Sequence, residues 1–417
     1  PLLQRLCARL CQHHGQPLDV VDPCDLARGC PGLRDLDLAP VDWDDGLLMN
    51  FATQAPQLRS LALRHVAPSA SHTLLAPLVA LGTIPAFAAN EGAGSNSIQA
   101  PQMPLKTEAF LGLTSLHLAL HARSDPARAK LWLQVVARLK GVRSLCLDYA
   151  APLRLETIVE TALYPSGVGS DPSSPSSGNS RSMQQSGGLA ALTIHGCHGV
   201  DDAAVGLVAE ACPRLEQLRL FPDSWREVGD LSNSALHSLV CSLPLLRGLA
   251  VGSRNLALAP TPPGTLAPAP RLRSLSLFAP LSNSACTALA SWRCLRHMWL
   301  GPHKLMQSGV GAESSISDEG LVAIVRACPG LVDLTVASRA VTDAGVATLV
   351  RSCRELRRLR LGGRGITDAS LALLKEVRQP RLERLALWFS GVSDEGARRA
   401  REEMSWTYFD IEVIEVS

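Results

Sequence analysis

The sequence predicts an α/β solenoid, a chain of short repeats that each contribute one strand of a parallel sheet and one helix. Three observations lead to this fold class. The apolar pattern L-x-x-L-x-(L/V) recurs along the 417 residues, mostly at steps of 23 to 31 residues. A Ser, Thr or Asp followed by Asp or Asn comes shortly after many of these patterns. Aromatic residues are only 4% and hydrophobic residues 46%, which suits a core of stacked aliphatic side chains.

The apolar pattern predicts a short strand. In residues 331–336 the apolar and polar positions alternate with period two, as expected of a strand with one buried face. The same pattern predicts eleven further strands, opening at Leu33, Leu58, Leu113, Val142, Leu189, Leu215, Leu246, Leu272, Leu295, Leu356 and Leu382. A closing strand is predicted from Tyr408, Ile411 and Val413.

A helix follows the strand. Thr342 is suited to cap the first backbone amides, and Asp343 favours the positive end of the helix dipole. One face of this helix is apolar and carries Val346, Leu349, Val350 and Cys353. The same start signal appears at Val200-Asp201-Asp202, Leu231-Ser232-Asn233, Leu281-Ser282-Asn283, Ile316-Ser317-Asp318, Ile366-Thr367-Asp368 and Val392-Ser393-Asp394.

The repeats predict one elongated, monomeric horseshoe, with the sheet on the concave face and the helices on the convex face. Residues 33–417 hold about twelve to thirteen repeats. Residues 1–32 are predicted as a partial capping repeat in which PLLQRLCARL is the helix. Stretches rich in Gly, Ser and Pro predict flexible insertions at 84–106, 164–188 and 301–315. The charge-free residues 66–90 are interpreted as including the helix SHTLLAPLVALG, not as a membrane span.

Twelve cysteines without disulfide-type clustering favour a reducing compartment, cytoplasmic or nuclear. Four of them stand three residues before the first leucine of a strand, where a small apolar side chain is needed: Cys30, Cys212, Cys328 and Cys353. Packing is the preferred interpretation, with redox or metal chemistry as the alternative. Residues 7–30 contain six residues that could bind zinc: Cys7, Cys11, His13, His14, Cys24 and Cys30. They lack the C-x2-C spacing of zinc knuckles, so no metal is predicted.

The sequence predicts neither an enzyme nor a cofactor site. It contains no phosphate-loop, nucleophile-elbow, H-E-x-x-H or kinase motif, and the GGRG segment at 362–365 is interpreted as a strand-to-helix loop. The net charge of +2 predicts no general attraction to nucleic acid or to an anionic membrane.

Residues 189–220 and 334–361 resemble the cysteine-containing leucine-rich repeat, with its L-x-x-L-x-L, G-C, (I/V)-(T/S/D)-D and C-P-x-L signatures. The resemblance is to proteins of the F-box/LRR (RNI-like) type. It implies a protein-binding solenoid, most often the substrate receptor of a cullin-RING ubiquitin ligase. Residues 1–30 lack the helical F-box pattern, so an adapter of that ligase is an expected partner only if an F-box lies upstream. The alternative is a scaffold subunit of a larger assembly such as an axonemal complex.

The third, fifth and seventh residues of each strand pattern are predicted to face the hollow. These positions are acidic near the start, at Asp35 and Asp37. Later in the chain they are basic and aromatic, which predicts that the hollow binds an acidic protein segment with an apolar anchor. The alternative is that these charges are merely solvated. The predicted binding residues are Arg219, Phe221, Phe278, His297, Trp299, Arg358, Arg360, Arg384 and Trp388.

Overall fold

A computed structural model describes residues 5–9, 28–30, 32–43, 54–55, 57–66, 113–119, 133, 136, 141–148, 153–163, 188–221, 229–253, 256, 269–301, 314–377, 381–388, 390–403 and 408–410. The chain divides into two compact units. The first unit comprises Pro1–Leu153 and Thr157–Leu189, and the second comprises Arg154–Glu156 and Ala190–Ser417.

The first unit contains five parallel strands that neighbour one another in chain order. They are β1 (Arg5–Arg9), β2 (Asp35–Trp43), β3 (Ser60–Val66), β4 (Ser115–Ala119) and β5 (Ser144–Asp148). Leucines at matching positions lie in register across the strands, as Leu61, Leu116 and Leu145 do, and all three are buried. Helix α1 (Leu155–Ala162) has residues in both units.

The second unit repeats strand and helix with a similar step. Its strands are β6 (Ala191–His195), β7 (Gln217–Phe221), β8 (Gly248–Gly252), β9 (Ser274–Phe278), β10 (His297–Leu300), β11 (Asp333–Val336), β12 (Arg358–Gly362), β13 (Arg384–Trp388) and β14 (Tyr408–Asp410), all parallel and in chain order. Its helices are α2 (Asp202–Ala211), α3 (Asn233–Ser242), α4 (Asn283–Leu289), α5 (Asp318–Ala327), α6 (Asp343–Ser352), α7 (Asp368–Val377) and α8 (Asp394–Glu403).

The chain is an α/β leucine-rich-repeat solenoid, as predicted. Every one of the twelve predicted repeats contributes a strand, β2 to β13, and all seven predicted start signals begin a helix. The apolar positions of the strands form the core together with the helices; Leu334 and Val336 are fully buried, as are Leu349 and Val350 of α6. The other strand positions form what is called here the open face of the sheet, the face opposite the helices.

Adjacent helices of the second unit are joined at their starts by a repeated hydrogen-bond arrangement. The first residue of α5, Asp318, accepts bonds from the backbone amide (2.8 Å) and the hydroxyl (2.5 Å) of Thr342, which caps α6. Asp343 binds the cap Thr367 in the same way, at 2.8 and 2.6 Å. The residues that receive such bonds are called here the aspartate ladder: Asp202, Asn283, Asp318, Asp343 and Asp368.

Four capping hydroxyls serve two helices at once, those of Ser232, Thr342, Thr367 and Ser393. Thr342 Oγ1 donates to Asp318 of the preceding repeat and accepts from the amide of Ala344 in its own helix, at 3.3 Å. Ser232 does the same between Asp202 and the amide of Ala235, at 2.5 and 3.1 Å. The sequence predicted the cap but not the bond between repeats. The Ser/Thr-Asp pair therefore recurs because each half of it contacts a different neighbour.

A glycine in the first turn of three helices makes room for the ladder. A Cβ built on Gly345 would lie 2.3 Å from Asp318 Oδ1, and one on Gly396 would lie 2.1 Å from Asp368 Oδ1. In α7 the corresponding residue is Ser370, whose hydroxyl instead donates to Asp343. The pattern D-x-G is thus a close-packing requirement between neighbouring helices.

The cysteines before the strands are packing residues in the second unit. Cys212, Cys328 and Cys353 are thiols, and all three are buried. Burial raises the pKa of the Cys353 thiol to about 12 and that of Cys328 to about 11. Other repeats fill the same turn with an apolar residue that has no thiol: Ala55, Leu243, Ala269 and Trp292. Cys30 differs from the other three, because it is partly exposed.

The prediction of a helix at the N-terminus is wrong. Residues Arg5–Arg9 form strand β1, with Leu6 in register with Leu36 and Ala8 with Leu38. The leucines of PLLQRLCARL fit a helical period, but the alternation of Leu6, Cys7 and Ala8 also fits a strand, and pairing covers the edge of β2. Tertiary pairing decides between the two.

The closing strand exists, but in a different register from the predicted one. In β14 the partner of Leu385 is Phe409, whereas the sequence predicted Ile411. Phe409 precedes Ile411 by two positions, so the step from β13 to β14 is two residues shorter than predicted. Phe409 lies opposite the core leucine of β13 in place of an aliphatic residue.

Several predictions fall on parts of the chain that the structure does not describe. These are the insertion at 84–106, nearly all of 164–188 and 301–315, the segment SHTLLAPLVALG, and Cys11, His13, His14 and Cys24. At the edge of the third insertion Ser314 is buried, and its hydroxyl donates to the Leu281 carbonyl at 2.9 Å. Within the described ranges no helix has the length and apolar character needed to cross a membrane.

Candidate functional site

All nine predicted binding residues lie on strands of the second unit, at open-face positions. Arg219 and Phe221 are on β7, Phe278 on β9, His297 and Trp299 on β10, Arg358 and Arg360 on β12, and Arg384 and Trp388 on β13. Neighbouring positions 3, 5 and 7 of successive strands lie side by side because the strands are parallel and in register. The acidic residues Asp35 and Asp37 lie on β2 of the first unit.

Four aromatic side chains of the open face contact one another in sequence and are called here the aromatic row. His195 stacks on Phe221 with ring centroids 4.7 Å apart. Phe221 contacts Phe278 at 5.4 Å, and Phe278 meets the edge of Trp299 at 5.8 Å. Such offset and edge-on contacts each contribute about 0.5–1.5 kcal/mol beyond burial. The row is therefore a rigid, preformed surface feature.

Small residues of β8 allow the row to form. Phe221 and Phe278 are two strands apart, and the open face of the intervening strand offers only Gly248, Ala250 and Gly252. Gly252 lies in register with Phe278 and has no side chain to separate the rings. Ala250 and Phe278 are both buried, with Phe221 and Trp299 packed against them.

This packing changes the roles of the predicted aromatic residues. Phe278 is only 4% exposed and Trp388 only 8%, so neither presents its ring to solvent as the sequence predicted. Phe278 is covered by Ala250 and by the rings of Phe221 and Trp299, which the pattern of a single strand does not show. Phe221 and Trp299 remain partly exposed and are the apolar part of the row that a partner can contact. His195 was missed, although it occupies the seventh position of its strand pattern.

The arginines near the C-terminal end of the sheet are partly neutralised by an aspartate. Asp333 on β11 lies 3.4 Å from Arg358 and 3.8 Å from Arg360. Arg360 also donates to the Thr335 hydroxyl at 3.3 Å, and its guanidinium lies 6.0 Å from the centre of the Trp299 ring. The sequence reasoning omitted Asp333, which is the third residue of its pattern. Across β6 to β13 the described open-face positions carry four arginines and one aspartate, so the surface remains basic.

The glycine segment at 362–365 packs against the preceding repeat. Gly363 and Gly365 form β-bridges to Ala340 and Thr342 of the preceding repeat. A Cβ on Gly363 would lie 2.3 Å from the Val341 carbonyl oxygen. These glycines therefore serve the close approach of neighbouring repeats, and the segment leads from β12 to α7 as predicted.

One group of three metal-ligating side chains converges within the described residues. His117, Cys146 and Asp148 of the first unit have their ligand atoms within 4.8 Å of one another. Sequence reasoning missed this group because the three residues are separated by up to 31 positions and share no short motif. Their signal was the repeat register, which aligns position 117 with position 146.

Comparison with known proteins finds similarity in fold only. No family model matches the chain, and no curated protein matches it. Among solved structures it is similar to the crystal structure of the Rad7 and Elc1 complex in yeast, with a TM-score of 0.51 and 14% identity over 90% of this chain and 74% of that one. It also matches a leucine-rich-repeat protein of Leptospira interrogans at 11% identity and a TM-score of 0.32, over 94% and 98% of the two chains.

Proposed function

We propose that this protein is a non-catalytic protein-interaction module that binds its partner on the open face of the second unit. The observation that carries the proposal is the aromatic row, with exposed arginines near it, on a sheet face that none of the described helices covers. Aromatic and arginine side chains dominate binding hot spots, and solenoids bind through the sheet face. Because the row is rigid before binding, little conformational entropy is lost when a partner docks.

The layout of the surface defines the chemistry of the partner. Arg219 and Arg358 are both exposed; Arg219 lies on β7, the strand of Phe221, and Arg358 lies on β12, two strands beyond Trp299. Five strand spacings separate them, which is roughly 24 Å at about 4.8 Å per spacing. An extended peptide of about seven residues covers that distance. We therefore propose a segment with an apolar or aromatic centre, placed over Phe221 and Trp299, and carboxylates toward both ends.

The finer proposal is substrate recognition for an F-box-type cullin-RING ubiquitin ligase, in the cytoplasm or nucleus. It is supported by the resemblance of the repeats to the cysteine-containing subtype. A protein of similar fold, Rad7, has been solved in complex with another protein, Elc1. An adapter-binding helical module would be needed in addition to the repeats. The alternative role, a scaffold subunit of a larger assembly, uses the same surface.

The proposal is tested by charge reversal on the open face. The double variant Arg219→Glu, Arg384→Glu changes two exposed arginines other than the two that lie near Asp333. The matched control reverses two exposed helix arginines, Arg326 and Arg351. Cross-linking and mass spectrometry of tagged full-length protein should show partners that the open-face variant loses and the helix variant keeps. Identical partner sets for the two variants would contradict the open-face site.

The two roles are separated by what happens to a partner identified in this way. If the protein is a substrate receptor, its depletion should raise the level of the partner and reduce polyubiquitination of the partner. If the protein is a scaffold, its depletion should leave ubiquitination unchanged and disrupt co-sedimentation of the assembly.

A further inference from the structure

Two adjacent strands of the first unit bring three different ligand side chains to one point. His117 on β4 lies in register with Cys146 on β5, and Asp148 follows Cys146 by two residues on the same face. His117 Nε2 is 2.5 Å from Asp148 Oδ2, and Cys146 Sγ is 3.6 Å from Asp148 Oδ1. The two carboxylate oxygens of Asp148 therefore point to different partners, and the imidazole, thiol and carboxylate converge.

We propose that His117, Cys146 and Asp148 form a zinc-binding site. Zinc binds imidazole nitrogen, thiolate sulfur and carboxylate oxygen at about 2.0–2.3 Å. Tetrahedral geometry at those bond lengths places ligand atoms about 3.3–3.6 Å apart. With one ligand atom from each residue, the three atoms already lie within 4.8 Å of one another, and the nitrogen-to-oxygen pair is 2.5 Å apart. Side-chain movements of about 1 Å would bring them to these separations.

The ligand set selects the class of metal. A thiolate disfavours Mg²⁺ and Ca²⁺, which take oxygen ligands, whereas a mixed nitrogen, sulfur and oxygen set suits zinc. Three protein ligands leave a fourth tetrahedral position for water or another group. Two residues in register with the site are small, Ala62 beside His117 and Ala119 beside Asp148.

The position of the site favours binding over a simple histidine–aspartate pair. The His117 and Asp148 side chains are 20% and 19% exposed, which leaves them accessible to an ion but partly shielded from water. All three ligands stand on paired β-strands, so their spacing is fixed by the backbone hydrogen bonds of the sheet. A histidine–aspartate pair alone would not require the thiol of Cys146 at the second carboxylate oxygen.

The test is metal binding by the purified, metal-free full chain. Zinc is titrated against a chromophoric chelator, and Co²⁺ is used as a spectroscopic probe, since a thiolate ligand adds a sulfur-to-cobalt charge-transfer band. The wild type should bind zinc, and Cys146→Ala should lose one equivalent together with that part of the charge-transfer band. His117→Ala should weaken binding at least tenfold. A difference spectrum isolates this site from any other thiol in the chain.

Cys241→Ala is the matched control. Cys241 is exposed and lies 3.7 Å from His237 on the same helix, but that pair lacks a third ligand in the described residues. This variant should bind zinc as the wild type does. The metal-free variants should all keep the wild-type circular dichroism, and zinc should raise the melting temperature of the wild type and of Cys241→Ala but not of Cys146→Ala. Equal zinc stoichiometry and equal cobalt spectra for Cys146→Ala and wild type would overturn the proposal.

Discussion

The aspartate ladder and the open face are both periodic features of the second unit, but different things repeat in them. At the helix starts the residue type itself recurs: Asp318, Asp343 and Asp368 make the same bonds in successive repeats, and Asp202 makes them earlier in the chain. On the open face only the position recurs. The fifth position of successive strands holds Thr193, Arg219, Ala250, Ser276, Trp299, Thr335, Arg360 and Ala386.

The difference shows which part of a repeat is fixed by its neighbours. Each ladder residue satisfies a backbone amide of the next helix, and a missing partner there leaves a polar group unpaired. Open-face side chains satisfy no such requirement and are free to vary from strand to strand. A residue type that recurs from repeat to repeat therefore indicates a role in assembling the solenoid. A position whose residue type changes from strand to strand indicates a surface available for recognition.

The largest expected effect comes from breaking the ladder. Asp343→Ala removes the acceptor of three hydrogen bonds, from the amide and hydroxyl of Thr367 and the hydroxyl of Ser370. We expect the free energy of unfolding, measured in urea, to fall by about 3 kcal/mol. Asp394→Ala is the control, because Asp394 begins the last described helix and no further cap residue in the described part of the chain donates to it. A loss under about 1 kcal/mol is expected for this variant. Equal losses would show that the aspartates act only on their own helices.

A smaller loss is expected from filling the space beside the ladder. Gly345→Ala places a methyl group against Asp318 and should destabilise the protein by about 1–3 kcal/mol, since the helix start must shift. Gly206 is the control, because it is exposed in α2 and a Cβ added there would have no heavy atom within 4 Å. Gly206→Ala should instead stabilise the protein by about 0.5–1 kcal/mol through helix propensity. Stabilisation by both substitutions would mean that D-x-G is not a packing requirement.

Acid should weaken the ladder without any mutation. Burial alone would raise the pKa of Asp343, but the hydrogen bonds donated by Ser370 and Thr367 outweigh it and hold the pKa below its ordinary value of 3.8. A carboxyl group whose pKa is lowered by folding stabilises the folded state at every pH above its ordinary pKa of 3.8. This stabilisation is lost as the pH falls from 3.8 through the lower folded-state pKa. Urea unfolding of wild type and Asp343→Asn should therefore differ most near neutral pH and converge below pH 3.8. A difference that stays constant down to strong acid would contradict this linkage.

The sequence predicted the local and periodic features well. Strand positions follow from the leucine pattern, and helix starts follow from Thr342-Asp343 and its counterparts, because both depend on neighbours within a few residues. The N-terminal strand was mispredicted because Leu6 and Ala8 satisfy two periods, and only pairing with Leu36 and Leu38 selects one. Local patterns cannot make that choice.

The candidate sites were predicted less completely, because they depend on contacts between repeats. The positions of Phe221 and Trp299 on the open face follow from counting along each strand. The burial of Phe278 depends on Ala250 and on rings from other strands, which no single repeat contains. The convergence of His117 with Cys146 and Asp148 likewise required the register of β4 against β5.

The smallest effect on stability is expected at two adjacent arginines, of which only Arg358 lies on the open face. Arg357 and Arg358 are similarly exposed, at 53% and 47%, and each pairs with a carboxylate, Glu383 at 3.1 Å and Asp333 at 3.4 Å. Exposed pairs of this kind contribute about 0–1 kcal/mol, so alanine at either position should change the free energy of unfolding by less than about 1 kcal/mol. Of the two, Arg358 stands within a strand on the open face, two strands from Trp299, and Arg357 precedes the strand. Arg358→Ala should therefore weaken partner binding about tenfold or more, and Arg357→Ala should leave it unchanged. Fluorescence anisotropy with the identified partner segment provides the measurement. Equal affinities of the two variants would place the binding contacts outside this end of the open face, since both proteins would be equally folded and equally charged.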